Sequence, residues 1–183
     1  EVSLGLVGSE MCIRDSPDWL VVELSSYQIE ACALVAPRIG LWTTLTPDHL
    51  ERHGTLANYR AIKRSLLERS ACQILNADDP DLRSQAPSWQ RAHWVTAGDR
   101  SDLPPGLDPL LWIEGNQVTS AAGPLLDARA LAMPGAHNRQ NLLLTAAVGL
   151  ELGLSGATME AAFRRFPGAV SYTHLRAHET EAD

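Results

Sequence analysis

Apolar and polar positions along the chain switch repeatedly between two periods. Trp19–Leu24 (WLVVEL) is a short apolar run ending in an acid, the pattern of a strand buried on both faces of a parallel sheet. Tyr27–Val35 is short and mixed, and Pro37 follows it, so a helix ends there. Ile39–Leu45 (IGLWTTL) is β-branched and aromatic and predicts a second strand. Thr55–Arg69 carries Leu56, Tyr59, Ile62, Leu66 and Leu67 at helical spacing, with Thr55 as N-cap. Gln73–Leu75 predicts a strand leading into the turn Asn76-Ala77-Asp78-Asp79-Pro80, with a helix starting at Pro80. Ala92–Thr96 is a further strand, and Arg100–Pro109, rich in Pro, Gly and Asp, is a loop. Leu110–Glu114 and Gln117–Thr119 flank Gly115-Asn116 and predict a hairpin. His137–Leu152 and Ser155–Phe166 predict two helices, the second capped by Ser155 and stopped by Pro167-Gly168.

Strands that alternate with helices specify an α/β fold, with a mainly parallel sheet flanked by helices and a small β-hairpin. The two last helices are expected to pack back on the sheet. The ends differ from the middle. Glu1–Ser16 is glycine-broken without clear periodicity, and Ala169–Asp183 is charged and equally irregular. Both resemble translated sequencing-adapter sequence joined to a gene fragment. The expected division is therefore 1–16 and 169–183 as non-native extensions, with 17–168 as one partial domain. The rival reading is a pair of ordinary termini.

Composition narrows the function. The 183 residues suit one domain, and 45% hydrophobic content suffices for a packed core. The net charge of -7 argues against a non-specific nucleic-acid binder. Removing both ends takes away two Lys/Arg and six Asp/Glu and leaves 13 against 16, so the acidity is partly an end effect. Cys12, Cys32 and Cys72 are far apart with no CxxC, as in a reduced protein with idle thiols. No apolar stretch approaches the ~20 residues of a membrane span, and the N-terminal apolar run has no basic region before it. The expectation is a cytoplasmic monomer without nucleic-acid or membrane partners.

Three motifs carry the chemistry: Glu23-Leu24-Ser25-Ser26-Tyr27-Gln28, then Thr46-Pro47-Asp48-His49-Leu50-Glu51-Arg52-His53-Gly54, then Tyr59-Arg60-Ala61-Ile62-Lys63. An acid and a histidine each follow an apolar run, and a lysine sits a short way into a helix. An α/β sheet gathers such groups at its carboxyl edge, where it keeps its ligands. Taken singly, each has a bland reading. Glu23 caps a helix or pairs with an arginine, His49 is structural or solvated, and Lys63 lies on a solvated face. His53 and Arg52 are equally well surface residues. A carboxylate such as Glu23 also suits Mg²⁺, which prefers oxygen ligands. Gly135-Ala136-His137-Asn138-Arg139-Gln140-Asn141 opens a helix and by itself reads as an N-cap cluster. The N-x-D-D stretch of Asn76–Asp79 alone is an Asx turn.

The series, in this order, resembles the central ATP-binding domain of the Mur ligases, and within them the branch that adds D-glutamate. The resemblance covers nearly all of the middle and almost nothing of either end. It implies ATP and Mg²⁺ as cofactors. It makes Glu23 a magnesium ligand and places His49 near a second ion, by direct or water-mediated contact. It makes Lys63 a carbamate, formed when the neutral amine takes up CO₂ and becomes an anionic oxygen ligand. It puts Asn138 and Asn141, and less firmly His137, on the ATP; a primary amide matches adenine N7 and the exocyclic amine. The implied reaction phosphorylates the carboxylate of UDP-N-acetylmuramoyl-L-alanine, and the amine of D-glutamate then displaces phosphate to form an amide. Glu51 stands where many members have Asp.

The family's GxxGKST phosphate loop is missing from these 183 residues, and its Phe-x-Gly-Leu-Pro-His stretch breaks after Phe166-Pro167-Gly168. The expectation is therefore a fragment that is inactive by itself. Two alternatives stand beside it. One is another superfamily member, either a diaminopimelate- or lysine-adding ligase, which usually reads closer to E-V-S-S-H at this point, or a folylpolyglutamate synthase. The other is a non-catalytic binding module on the same fold.

Overall fold

The computed structural model describes residues 18–46 and 50–166. Six strands form one sheet in the order of the chain: β1 (Ile39–Trp42), β2 (Cys72–Asn76), β3 (Ala92–Thr96), β4 (Leu111–Glu114), β5 (Gln117–Ser120) and β6 (Gly123–Asp127). β1 to β4 run parallel, with Leu41 opposite Ile74, Leu75 opposite Trp94 and Val95 opposite Leu111. β4, β5 and β6 are antiparallel, and a register shift falls between Val118 and Thr119. The α/β expectation of a mainly parallel sheet with a hairpin holds. β6 was not anticipated: Gly123-Pro124 at its start reads as a turn, yet Val118 pairs with Leu126 beyond it.

Six α-helices accompany the sheet among the described residues: α1 (Ser26–Ala31), α2 (Leu50–His53), α3 (Leu56–Arg69), α4 (Pro80–Ser84), α5 (Ala136–Glu151) and α6 (Gly156–Arg165). The starts follow from their caps. The side chains of Ser25, Thr55, Asp79 and Ser155 each accept the backbone N–H three residues on, satisfying a donor that a helix start otherwise leaves orphaned. Thr55, Ser155 and the start at Pro80 are as the sequence predicts. α1 ends four residues before Val35, the expected helix end, and β1 ends at Trp42 rather than Leu45.

Both faces of the sheet are covered, which explains why β2 is buried at every position. On one face Ile74, Val95, Leu111, Val118 and Leu126 pack against Leu142, Leu143, Ala146 and Ala147 of α5 and Met159 of α6. On the other, Trp42, Leu75 and Trp94 pack against Tyr59 and Leu67 of α3, Leu82 of α4 and Trp89. Ile74 and Leu75 are adjacent, fully buried and in different cores, as the two-residue strand period requires. Each is worth ~1.5–3 kcal/mol of burial. α6 lies so close to β6 that a Cβ on Gly156 would overlap the Leu125 carbonyl.

One expected element is absent. Trp19–Leu24 is not a strand, and Val21 is 97% exposed. An apolar run becomes a strand only where a neighbour completes its ladder, and no described residue pairs with it.

Candidate functional site

The carboxyl ends of β1, β2 and β3 are tied together by three side chains, one from the last residue of β2 and two from the turn after it. Asp79 is buried; one oxygen accepts from Thr44 Oγ1 at 2.7 Å and the Leu45 N–H at 2.8 Å, and the other caps α4 through the Leu82 N–H at 2.8 Å. Asp78 accepts from the Thr96 hydroxyl and from the Ala97 N–H at 2.8 Å. Asn76 donates to the Thr43 carbonyl at 2.9 Å and to Gln140 Oε1 at 3.3 Å, and accepts the Asp78 N–H at 3.0 Å. The stretch thus braces the loops that follow three adjacent strands.

Two groups of predicted residues flank this brace. On the β1 side, Glu23 is exposed, two residues before the Ser25 cap of α1. Ser25 and Gln28 form a reciprocal capping box. Ser26 is 2% exposed and shares a hydrogen bond of 2.9 Å with His53 Nε2. The His53 ring faces Tyr27 at 5.5 Å and Tyr59 at 5.6 Å between centroids. Lys63, half-buried one turn along α3, places Nζ 5.1 Å from the centre of the Tyr59 ring. Its neighbour Arg64 turns away to stack on Trp89 at 4.2 Å and to bond Glu68 at 2.7 Å. His49, with Pro47 and Asp48, lies outside the described residues.

The other group opens α5. Gly135 has φ 109° and ψ 150°, a conformation open in practice only to glycine. It turns the chain so that Asn138 Nδ2 donates to the Pro134 carbonyl at 2.7 Å. Asn138 is half-buried, while His137 and Asn141 are exposed. The Gln140–Asn76 bond docks this helix start on the carboxyl end of β2.

The donors suit the implied groups in part. Glu23 offers free carboxylate oxygens, and Asn141 and His137 offer exposed polar groups to a nucleotide. Lys63 as an ammonium over a tyrosine face is held by a cation–π contact and ligates a cation only after becoming an anion. Among the described residues, no three His, Cys, Asp or Glu side chains gather in a metal-binding cluster.

Sequence reading missed Ser26, His53 and Gln140. His53 is not a surface residue but 7% exposed. The signal available was its place immediately before the Gly54-Thr55 helix start, where an imidazole can pack back on the first turn. Arg52 is on the surface, at 3.2 Å from Glu30. At the opposite edge of the sheet, an open cleft is lined by Cys72, His93, Leu110 and Glu151. Burial, reinforced by the Glu151 carboxylate, pushes the Cys72 thiol up and keeps it protonated.

Residues 9–149 match the family model of the Mur ligase middle domain, starting ahead of the Pro17 boundary. A UDP-N-acetylmuramoylalanine--D-glutamate ligase of Parasynechococcus marenigrum (strain WH8102) is 56% identical over 173 residues, 91% of this chain and 37% of that protein. Enzymes of the same name from Synechococcus sp. (strain CC9605) and Prochlorococcus marinus (strain MIT 9313) are each 55% identical, over 91% and 83% of this chain. The chain spans 37% of the length of the first two. Among solved structures, a pseudomurein peptide ligase type C from Methanothermus fervidus superposes with a TM-score of 0.57 over 80% of this chain and 37% of that one, at 16% identity. That likeness establishes a shared fold. The family match over most of the chain, and the identity with curated relatives, show that this chain belongs to the Mur ligase family through its middle domain.

Proposed function

We propose that the chain is the nucleotide- and metal-binding part of a cytoplasmic ligase that adds D-glutamate to UDP-N-acetylmuramoyl-L-alanine at the expense of ATP. The observation that supports this most is the 56% identity across 91% of the chain with a D-glutamate ligase. It favours that branch over the diaminopimelate- or lysine-adding and folylpolyglutamate branches. Bound Mg²⁺ supplies neutralisation of the charge on the transferring phosphoryl group, and positioning with charge neutralisation is most of what phosphoryl transfer needs.

The chain's residues then divide the work. Glu23, exposed at the end of its segment, presents carboxylate oxygens to the cation. His49, seven residues after β1 in the sequence, serves a second cation, directly or through water. Lys63 leaves the Tyr59 face when its neutral amine, the ammonium proton already lost to solvent, attacks CO₂: a C–N bond forms, one C=O π bond opens to C–O⁻, and the nitrogen gives a second proton to solvent. The side chain thus changes from a cation to an anion with two oxygens, which would suit it to hold Mg²⁺. Asn138, Asn141 and His137, at the start of α5, take the nucleotide. Pro17–Gly168 is the proposed native part, against which stands the family match from residue 9, and resequencing the source DNA across both junctions tests that boundary.

The test of the site is Lys63→Ala in the full-length ligase carrying this middle domain. Turnover falls by at least about a hundredfold, as for a misplaced positioning group, and acetate restores part of it by returning a carboxylate to the vacated space. Equal rescue by chloride would sink the carbamate role.

A further inference from the structure

We propose that His53 is a positioning residue for this reaction: through Ser26 and Tyr59 it fixes the turn that bears Glu23 against the helix that bears Lys63. The proposal rests on the roles of Glu23 and Lys63 given above.

Glu23 needs such an anchor. Its own segment, Trp19–Leu24, makes no ladder with β1, and Val21 and Glu23 are open to solvent. Beyond the stacking of Arg38 on Trp19, 4.9 Å from the ring centre, the segment is held from its C-terminal end, the end nearer Glu23. Ser26 follows Glu23 by three residues and is the first residue of α1; its buried hydroxyl meets His53 Nε2 at 2.9 Å. The nearby Arg52–Glu30 pair is exposed on both sides, and such pairs hold little. A buried Ser–His bond is different, because removing either partner strands the other away from water.

The other end of His53 is equally fixed. Its carbonyl accepts the Thr55 N–H at 2.9 Å and Asn58 Nδ2 at 3.0 Å. Both donors belong to the start of α3, where Thr55 is the cap. The imidazole is tilted against Tyr59, 5.6 Å between ring centres, and the Tyr59 ring carries Lys63 Nζ. Tyr59 and Lys63 are one helical turn apart on α3. A continuous series of contacts thus runs from the Glu23 turn to Lys63, and His53 is the member with a polar contact to one side and a ring contact to the other.

Two substitutions separate positioning from mere packing. His53→Phe keeps a ring between Tyr27 and Tyr59 but removes the hydrogen bond. Ser26→Ala removes the bond from the other side at small cost in volume. In the full-length ligase, each is expected to slow turnover by about ten- to a hundredfold, the penalty of a site displaced by an ångström or less. Each also raises the Mg²⁺ concentration needed for half-maximal rate and leaves the KM for D-glutamate unchanged. Amide hydrogen exchange of residues 22–31, read without turnover, speeds up by about tenfold, as for the loss of one buried hydrogen bond, while that of β2 and β3 stays constant. The double variant is no worse than the more affected single one, because both remove the same bond.

Unchanged exchange over 22–31, or an unchanged Mg²⁺ dependence, overturns the proposal. Faster exchange throughout the sheet together with a fallen Tm also overturns it, since that is a packing role. If Glu23→Ala and Lys63→Ala themselves retain full turnover, the reading of the site has failed instead.

Discussion

Asp79 and Asp78 each accept a hydroxyl and two backbone N–H groups at the carboxyl edge, and Asp79 is the buried one of the two. Its two oxygens take a hydroxyl and a backbone N–H from the loop after β1 and a backbone N–H from the first turn of α4. Asp79→Ala leaves buried donors without acceptors and removes a helix cap, effects of ~1–3 and ~0.5–2 kcal/mol respectively. Urea unfolding of this chain is expected to show a loss of about 3 kcal/mol in sum. Asp79→Asn keeps one carbonyl acceptor and loses less than half of that. Equal losses for the two variants would mean that charge, rather than acceptor count, holds the brace. The motif is visible in the sequence as an Asx turn, but its reach is not. Thr44 lies 35 residues away, and no local pattern announces that partner. His53 was illegible for the same reason, since its worth depends on Ser26, 27 residues earlier.

Elements that announce themselves by caps and period were read closely, and those that depend on a partner were not. α3 and α6 start where Thr55 and Ser155 say they should, and β3 has the predicted bounds. β6 was missed because Gly123-Pro124 suggests a turn, and only pairing with β5 makes it a strand. The junction of β6 with α6 has a pH signature. The Arg129 side chain and N–H hold the Asp127 carboxyl at about 2, with Arg164 adding to it. The Asp127 N–H, and then Arg164, hold Glu160 below its ordinary range. Both groups are more acidic in the folded state, so their contribution is complete above the unfolded values of ~4 and disappears as pH falls through the folded ones. Exchange of α6 amides is expected to accelerate between about pH 4 and about pH 2 ahead of those of α3. Asp127→Asn should remove much of that difference. If α3 and α6 lose protection together in both proteins, the carboxylates do not hold α6 in place.

At the scale of the molecule, the fold class was readable because alternating strand and helix periods leave few arrangements. The apolar Trp19–Leu24 was readable as an intended strand. Its exposure was not, because ladder partners are a property of the surroundings and not of the run itself. The proposed nucleotide site is divided in the same way: the residues proposed to position metal and base are present, while a phosphate-cradling Gly-rich loop with Lys-Ser/Thr is not among the 183 residues. Positioning accounts for ~7–11 kcal/mol of a barrier, so the isolated chain is expected to release no phosphate above background from ATP with Mg²⁺ and both substrates. Substrate-dependent release that disappears with Glu23→Ala would show that the cradle is dispensable.

The spatial order of the strands is also their order of synthesis. As the chain leaves the ribosome, each new strand from β2 to β6 meets a partner made just before it, so the sheet can lengthen one strand at a time without waiting for distant sequence. Pairings between near neighbours close small loops and carry a low entropic cost. Only α5 must travel back, from the far side of β6 to cover β2 and β3. Until it does, Ile74, Val95 and Leu111 stand bare on a growing sheet. The interval before residues 136–151 emerge is when this nascent chain is most open to capture by a chaperone.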